Sequence, residues 1–391
     1  MNLASLSASY LRARPLNTAL SVLLLALGVG TIVLLVLVVS QLEQRMHGDA
    51  RGIDLVVGAK GSPMQLILAG VYHVDAPTGN IPLAAAQALQ KNKFVKKAMP
   101  LALGDSWRSY RIVGAGREYA EHYDAKLRSG KLYEKPMEAV LGAEVAARTG
   151  VGIGATFTGA HGIGGGGDEH EDAYTVVGIL EKTGTVIDRL VLTSIESVWE
   201  VHHDDGAKPE DREVTVLLIQ YASPLAAAML PRQINAKSEL QAASPAYETA
   251  RLFRIVGVGV EALRAFAAAL ILAAGLSVFI ALYNALEERR YELALMRALG
   301  ASPARLFGLL VAEGLGLTLL GAVLGVILGH AFTAVLGAWL EATQNYGVSG
   351  MEVRNEELWV VAVALAVGLA AALLPAWRAY GTDVARTLAQ A

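Results

Sequence analysis

Four long apolar runs constrain this chain more than any other feature of it. The hydrocarbon core of a bilayer is about 30 Å thick and takes roughly 20 apolar residues of helix. Residues 15–42 and 265–286 carry no charge, residues 306–340 are interrupted only by Glu313 and His330, and residues 358–377 are uncharged between Glu357 and Arg378. The chain is 54% hydrophobic and 18% charged, against about 45–50% and 25% in soluble domains. The first run is longer than the 7–15-residue apolar region of a signal peptide, and no small-x-small cleavage site follows it, so it reads as an uncleaved anchor. Ahead of it, Leu3, Leu6 and Tyr10 share one helical face, which predicts a short interfacial helix.

Arginines orient the spans. Arg12 and Arg14 precede the first, Arg289, Arg290, Arg297 and Arg305 lie between the second and third, and Arg378 and Arg386 follow the fourth. The loop 341–357 holds four glutamates and only Arg354. Both termini and the 287–305 loop are therefore expected inside, and residues 43–253 outside. Every lysine falls in that outer segment, and long translocated segments are exempt from the charge rule. A net charge of −3 gives no case for nucleic acid, and without cysteine there is no disulfide and no thiolate metal site. Three parts result: 1–42 with the interfacial helix and first span, 43–253 as an outer domain with a stalk, and 254–391 with the remaining spans.

The outer segment reads as mixed α/β. Strands are expected at 54–57, 109–113, 140–142, 173–180, 189–193 and 214–220, and helices at 83–90 and 143–148. Gly150, Gly152 and Gly154 read as turns around a barrel-like subdomain, because no Lys-Ser/Thr follows them as a phosphate loop requires. No Walker motif occurs anywhere in the chain. The apolar patch 64–72 fits a buried helix, or alternatively a surface near the membrane. Residues 246–266 read as a stalk helix entering the second span, with Glu261 and Arg264 as a surface pair.

Between the second and third spans stands EERRYELALMRALGASPAR, residues 287–305, an amphipathic, arginine-rich segment stopped by Gly300 and Pro303. This segment resembles the signature loop of the FtsX/MacB-like (LolC/E-like) permeases of mechanotransmitting, type VII, ABC transporters. The likeness extends over nearly the whole chain, from RARPLNTALSVLLLALGVG through VLGAEVAARTGVGIGATFT and YTVVGILEKTGTVIDRLVLTSIESV to the three-span tail. It implies an α-helical membrane protein with four transmembrane helices and a mixed α/β periplasmic domain, a MacB-like lobe with a small β-rich subdomain, in the bacterial inner membrane. It also implies a separate ABC ATPase subunit in two copies, which would bind ATP and Mg²⁺, and a permease homodimer. This chain is then no enzyme. Its work would be export, efflux through a periplasmic adaptor, or lipoprotein handling. The alternatives are a mechanical regulator of a periplasmic partner such as a cell-wall hydrolase, and a metal-linked transport system.

On that resemblance Glu288, Arg289, Arg290, Glu292, Met296, Arg297 and Gly300 would couple to the ATPase. Glu313 is an intramembrane carboxylate, a functional candidate by default, with either structural pairing or a coupling role. Gly321, Gly325 and Gly329 share one face of the third span and permit close packing, against another span of this chain or a second copy. His161, Asp168 and His170 in AHGIGGGGDEHED, and His202 and His203 in HHDD, carry zinc-ligand chemistry. Without fixed helical spacing they are expected to form a solvated loop, with a weak zinc site as the alternative.

Overall fold

The computed structural model describes residues 15–162, 169–202, 212–344 and 347–380. The expected interfacial helix before Pro15, and the candidates Asp168 and His203, lie outside the described residues. The chain divides into two compact units, Met1–Gln41 with Val256–Ala391, and Leu42–Ile255.

After the first helix, α1 (Pro15–Asp49), come β1 (Leu55–Ala59), α2 (Pro63–Gly70), β2 (Ile81–Pro82), α3 (Leu83–Gln90), β3 (Val95–Trp107) and β4 (Tyr110–Ala115). Then follow α4 (Arg117–His122), β5 (Leu127–Gly130), β6 (Glu138–Leu141), α5 (Ala143–Thr149), β7 (Thr156–His161), β8 (Glu169–Leu180) and β9 (Leu190–Thr193). α6 (Ile195–Val201), β10 (Glu213–Val214), β11 (Val216–Tyr221), α7 (Pro224–Lys237) and β12 (Leu240–Ala243) complete the unit.

Ten strands form one sheet in the order β12-β1-β11-β3-β4-β9-β6-β8-β5, with β7 bonded to both β3 and β8. That double pairing closes β3, β4, β9, β6, β8 and β7 into a six-stranded ring, the barrel-like subdomain. Side chains alternate across a strand, so β4 serves two cores. Tyr110 and Ile112 pack with Leu141, Phe157, Tyr174, Val176 and Val191. Val113 and Ala115 join Leu101, Tyr119, Val140 and Leu192. At the other end of the sheet, Leu55, Val57, Leu217 and Ile219 pack on Ala86 of α3 and on Leu230 and Ile234 of α7. Each fully buried aliphatic side chain of this kind contributes about 1.5–3 kcal/mol.

The apolar patch 64–72 resolves in favour of the buried helix. Ser62 caps α2 by accepting from the Gln65 amide, and Leu66 and Ile67 are buried. Gly150 ends α5 at φ 66°, and Gly154 turns the chain at φ 87°.

The membrane unit is built by α1, α8 (Pro245–Glu288), α10 (Pro303–Gln344) and α11 (Glu356–Tyr380), with the short α9 (Arg290–Ala298) between α8 and α10. α1, α8, α10 and α11 are long and apolar enough to cross a bilayer. The glycine stripe of α10 packs on α1 of the same chain. A Cβ at Gly321, Gly325 or Gly329 would come within 2.7–2.9 Å of Leu25, Val29 or Val33 respectively. Trp359 and Trp377 are exposed near the two ends of α11, about 27 Å apart at 1.5 Å per residue, the spacing expected of anchors at two membrane interfaces. Gln41 makes a paired bond to the backbone of Ser349, donating to its carbonyl and accepting from its amide, each at 2.8 Å.

Candidate functional site

The elbow between α8 and α10 is a built element. Leu293 and Ala294 of α9 are buried, Leu293 in the cluster that holds Leu286, Leu306 and Leu310, with Met296 packed against it. The helix stops in a Schellman turn. The Ala301 amide donates to the Met296 carbonyl at 2.9 Å and the Gly300 amide to Arg297 at 3.0 Å, with Gly300 at φ 98°. A side chain at Gly300 would be strained there.

The coupling candidates separate into two groups. Arg289 and Met296 face inward: the Arg289 guanidinium, largely buried, lies 3.7 Å from the buried Glu313 carboxylate, tying the elbow to α10. Glu288 and Glu292 are exposed, Arg297 is half-buried, and Arg290 is exposed and paired to Glu287 at 2.8 Å. Beside them lies a feature that the charge pattern hides. Tyr291, Leu295 and Leu299 are exposed, and at i, i+4 and i+8 they share one face. That spacing is readable in YELALMRAL once the helix bounds are known.

A second constellation lies in the Leu42–Ile255 unit. The sequence places His161 and His170 near a glycine-rich loop, but the structure puts them on paired strands, at the end of β7 and the start of β8. His202 caps the C-terminus of α6. All three converge on Asp105 of β3, a residue that sequence reasoning missed. One Asp105 carboxylate oxygen stands 3.4 Å from His161 Nδ1, 3.2 Å from His170 Nε2 and 3.3 Å from His202 Nε2. Two irregularities aim these side chains. In the β3–β4 ladder, Gly104 and Asp105 both stand opposite Ile112, a bulge of the kind that re-aims a side chain beside a site. In the β7–β8 ladder, His170, Glu171 and Asp172 stand opposite Gly159.

Asp105 is 1% exposed, and among the described residues its carboxylate oxygens and the His170 Nε2 make no well-aligned hydrogen bond beyond the ion-pair contacts they make with one another. Burial pushes the Asp105 carboxyl up, but His202 and His170 outweigh it and hold it below its ordinary value. Asp105 in turn raises His202 against the effect of burial. His202 Nδ1 lies 2.8 Å from the Val198 carbonyl, which can only accept, so that nitrogen carries a proton and the ring is held with Nε2 facing the carboxylate. The arrangement is chemically a set of four donors around one point, with all four ligand atoms within 4.8 Å of one another.

Residues 18–237 match the family model of a MacB-like periplasmic core domain, and residues 264–384 match that of an FtsX-like permease C-terminal domain. No curated protein matches. Among solved structures, the periplasmic region of MacB from Actinobacillus actinomycetemcomitans is 13% identical, covering 54% of this chain and 98% of that one at a TM-score of 0.34. The extracellular domain of the noncanonic ABC-type transporter YknZ from Gram-positive bacteria is 12% identical, covering 49% and 98% at 0.30. A domain of a permease protein from Porphyromonas gingivalis is 16% identical, covering 50% and 89% at 0.29.

Proposed function

As the chain belongs to the FtsX-like permeases with a MacB-like periplasmic core domain, we propose that it is the membrane subunit of an ABC transporter that takes up motion from a separate ATPase. Two ATPase subunits act with two permease chains in the bacterial inner membrane, and the Leu42–Ile255 unit works on the periplasmic side. Its task is of the class the family implies, export, efflux or lipoprotein handling.

The observation that carries this reading is the elbow. It presents an apolar stripe, Tyr291, Leu295 and Leu299, rimmed by Arg290 and Glu292. Buried aromatic and aliphatic anchors within a charged rim are the anatomy of a docking site. The stripe is also held stiffly from behind. Leu293 is packed in the membrane unit's core, and Arg289 is paired to Glu313, so a push on α9 moves α10 with it. α8 is one helix of 44 residues, and near its start the Thr249 hydroxyl lies 2.7 Å from that of Tyr72.

Leu295→Glu with Leu299→Glu tests the stripe, with co-purification of the ATPase and stimulated ATP hydrolysis in nanodiscs as readouts. Losing anchors worth about 2 kcal/mol or more lowers affinity more than tenfold, so complex recovery should collapse while the chain stays monodisperse alone. A double variant that binds and stimulates the ATPase like the parent would remove the elbow as the coupling element.

A further inference from the structure

We propose that Asp105, His161, His170 and His202 form a tetrahedral site for a zinc-class divalent ion, and that the ion pins the seam where the six-stranded barrel closes. This goes beyond the coupling function and does not depend on it.

The geometry comes first. Ligand atoms about 2.0–2.1 Å from a tetrahedral zinc stand about 3.3 Å from one another. The three Asp105 separations are 3.4, 3.2 and 3.3 Å, and the four ligand atoms lie within 4.8 Å of one another, so the imidazoles need only draw in toward a shared ion by small side-chain rotations. The imidazole rings are gathered with centroids 4.2–5.1 Å apart, close enough to share one ion and too close for three imidazolium charges to coexist comfortably. With its Nδ1 hydrogen donated to the Val198 carbonyl, His202 presents Nε2 to the Asp105 carboxylate, and a cation that displaces the proton there is bound by both groups. The Asp105 oxygens and the His170 Nε2, which among the described residues make no well-aligned hydrogen bond, gain a directional partner in the same step. A buried carboxylate without one is costly.

The chemistry selects the metal. Three imidazoles and one carboxylate suit zinc and its neighbours, whereas calcium and magnesium take oxygen ligands in greater number. Four protein ligands leave no open position, the mark of a structural rather than a catalytic ion. The Val198 carbonyl on His202 Nδ1 supplies the outer-shell bond that orients a ligating imidazole.

The location gives the ion its task. Among the described residues β7 meets β3 through two residue pairs, Asp105 with His161 and Ser106 with Ala160, supplemented by a 2.9 Å bond from the Gly162 amide to the Gly104 carbonyl. Two of the ligands are thus the pair that forms the seam itself. His170 comes from the next strand, and His202 from α6, so one ion joins four segments where the ladder is shortest.

The test uses the full-length chain without a polyhistidine tag, purified in detergent, stripped by a chelator and dialysed against zinc or cobalt. About one zinc per chain should remain, and the cobalt form should show the intense visible bands of a tetrahedral site. Zinc at a hundredfold above its Kd should raise Tm by about 5–10 °C, and magnesium or calcium should leave it unchanged. Asp105→Asn and His170→Ala should abolish retention. Because those buried changes can unfold the domain, His161→Ala provides the second arm: that side chain is 53% exposed, so its loss should weaken zinc binding at least about tenfold with the fold intact. Absence of retained zinc and of cobalt bands in the parent overturns the proposal, as does equal zinc binding by the parent and His161→Ala.

Discussion

His73 shows how much a single side chain can set. It is fully buried, with Nε2 3.0 Å from the Tyr119 hydroxyl, and burial, aided by the nearby charges of Arg111 and Arg189, lowers its pKa to about 3. Its unfolded value is near 6.5, so between those limits the unfolded chain binds the extra proton. The stability this neutral histidine contributes is complete above pH 6.5 and is lost as pH falls toward 3. At about 1.4 kcal/mol per unit, the parent should lose about 2 kcal/mol between pH 7.5 and pH 5 on this account. His73→Asn, which tolerates the residue's φ of 56°, should flatten that part of the pH dependence of Tm. An unchanged slope would show that some other group titrates. Residues of this kind are poorly legible in sequence. The histidines of the seam were visible as zinc-ligand types, but Asp105 sits alone in LALGDSW, 56 positions before His161. Only a bulge and a barrel closure bring the two together, and neither has a local signature.

At the scale of elements, legibility follows the strength of the local pattern. The four spans and helix α3 were readable because long apolar runs and a proline-led start are local signals. β3 was not, although it is the longest strand among the described residues and joins the sheet to the barrel. It contains Lys96, Lys97 and Pro100, and a proline within a run argues against a central strand; here Pro100 stands opposite Leu217 of β11. The glycine stripe was legible as a packing face, but its partner was not, because periodicity names a face and not what covers it. That partner is now α1, and the contact predicts a contrast. A Cβ at Gly325 would meet Val29 at 2.7 Å and the Ala26 carbonyl at 2.9 Å, whereas Gly316 has open space around it. Gly325→Leu should therefore cost at least the 1–3 kcal/mol or so of an overpacked core, read as a fall in Tm in detergent. Gly316→Ala should be neutral or gain up to about 1 kcal/mol from helix propensity. Equal behaviour of the two variants would mean that α1 and α10 do not pack through this face.

For the whole molecule, the sequence predicts a sidedness, and the absence of cysteine makes it measurable. The arginines beside the span ends predict the elbow inside and residues 43–253 outside. Because the chain has no cysteine, a single introduced thiol is the only one that a maleimide can find. Ser302, just before α10, and Ser223, just before α7, are both exposed, so access to either should depend on the membrane and not on the fold. In cells with a permeabilised outer membrane and a sealed inner one, an impermeant maleimide should label Ser223→Cys and spare Ser302→Cys. Breaking the inner membrane should then expose the second. A coupling elbow must lie on the side that holds ATP. Labelling of Ser302→Cys ahead of Ser223→Cys would therefore invert the topology and leave α9 no ATPase to receive.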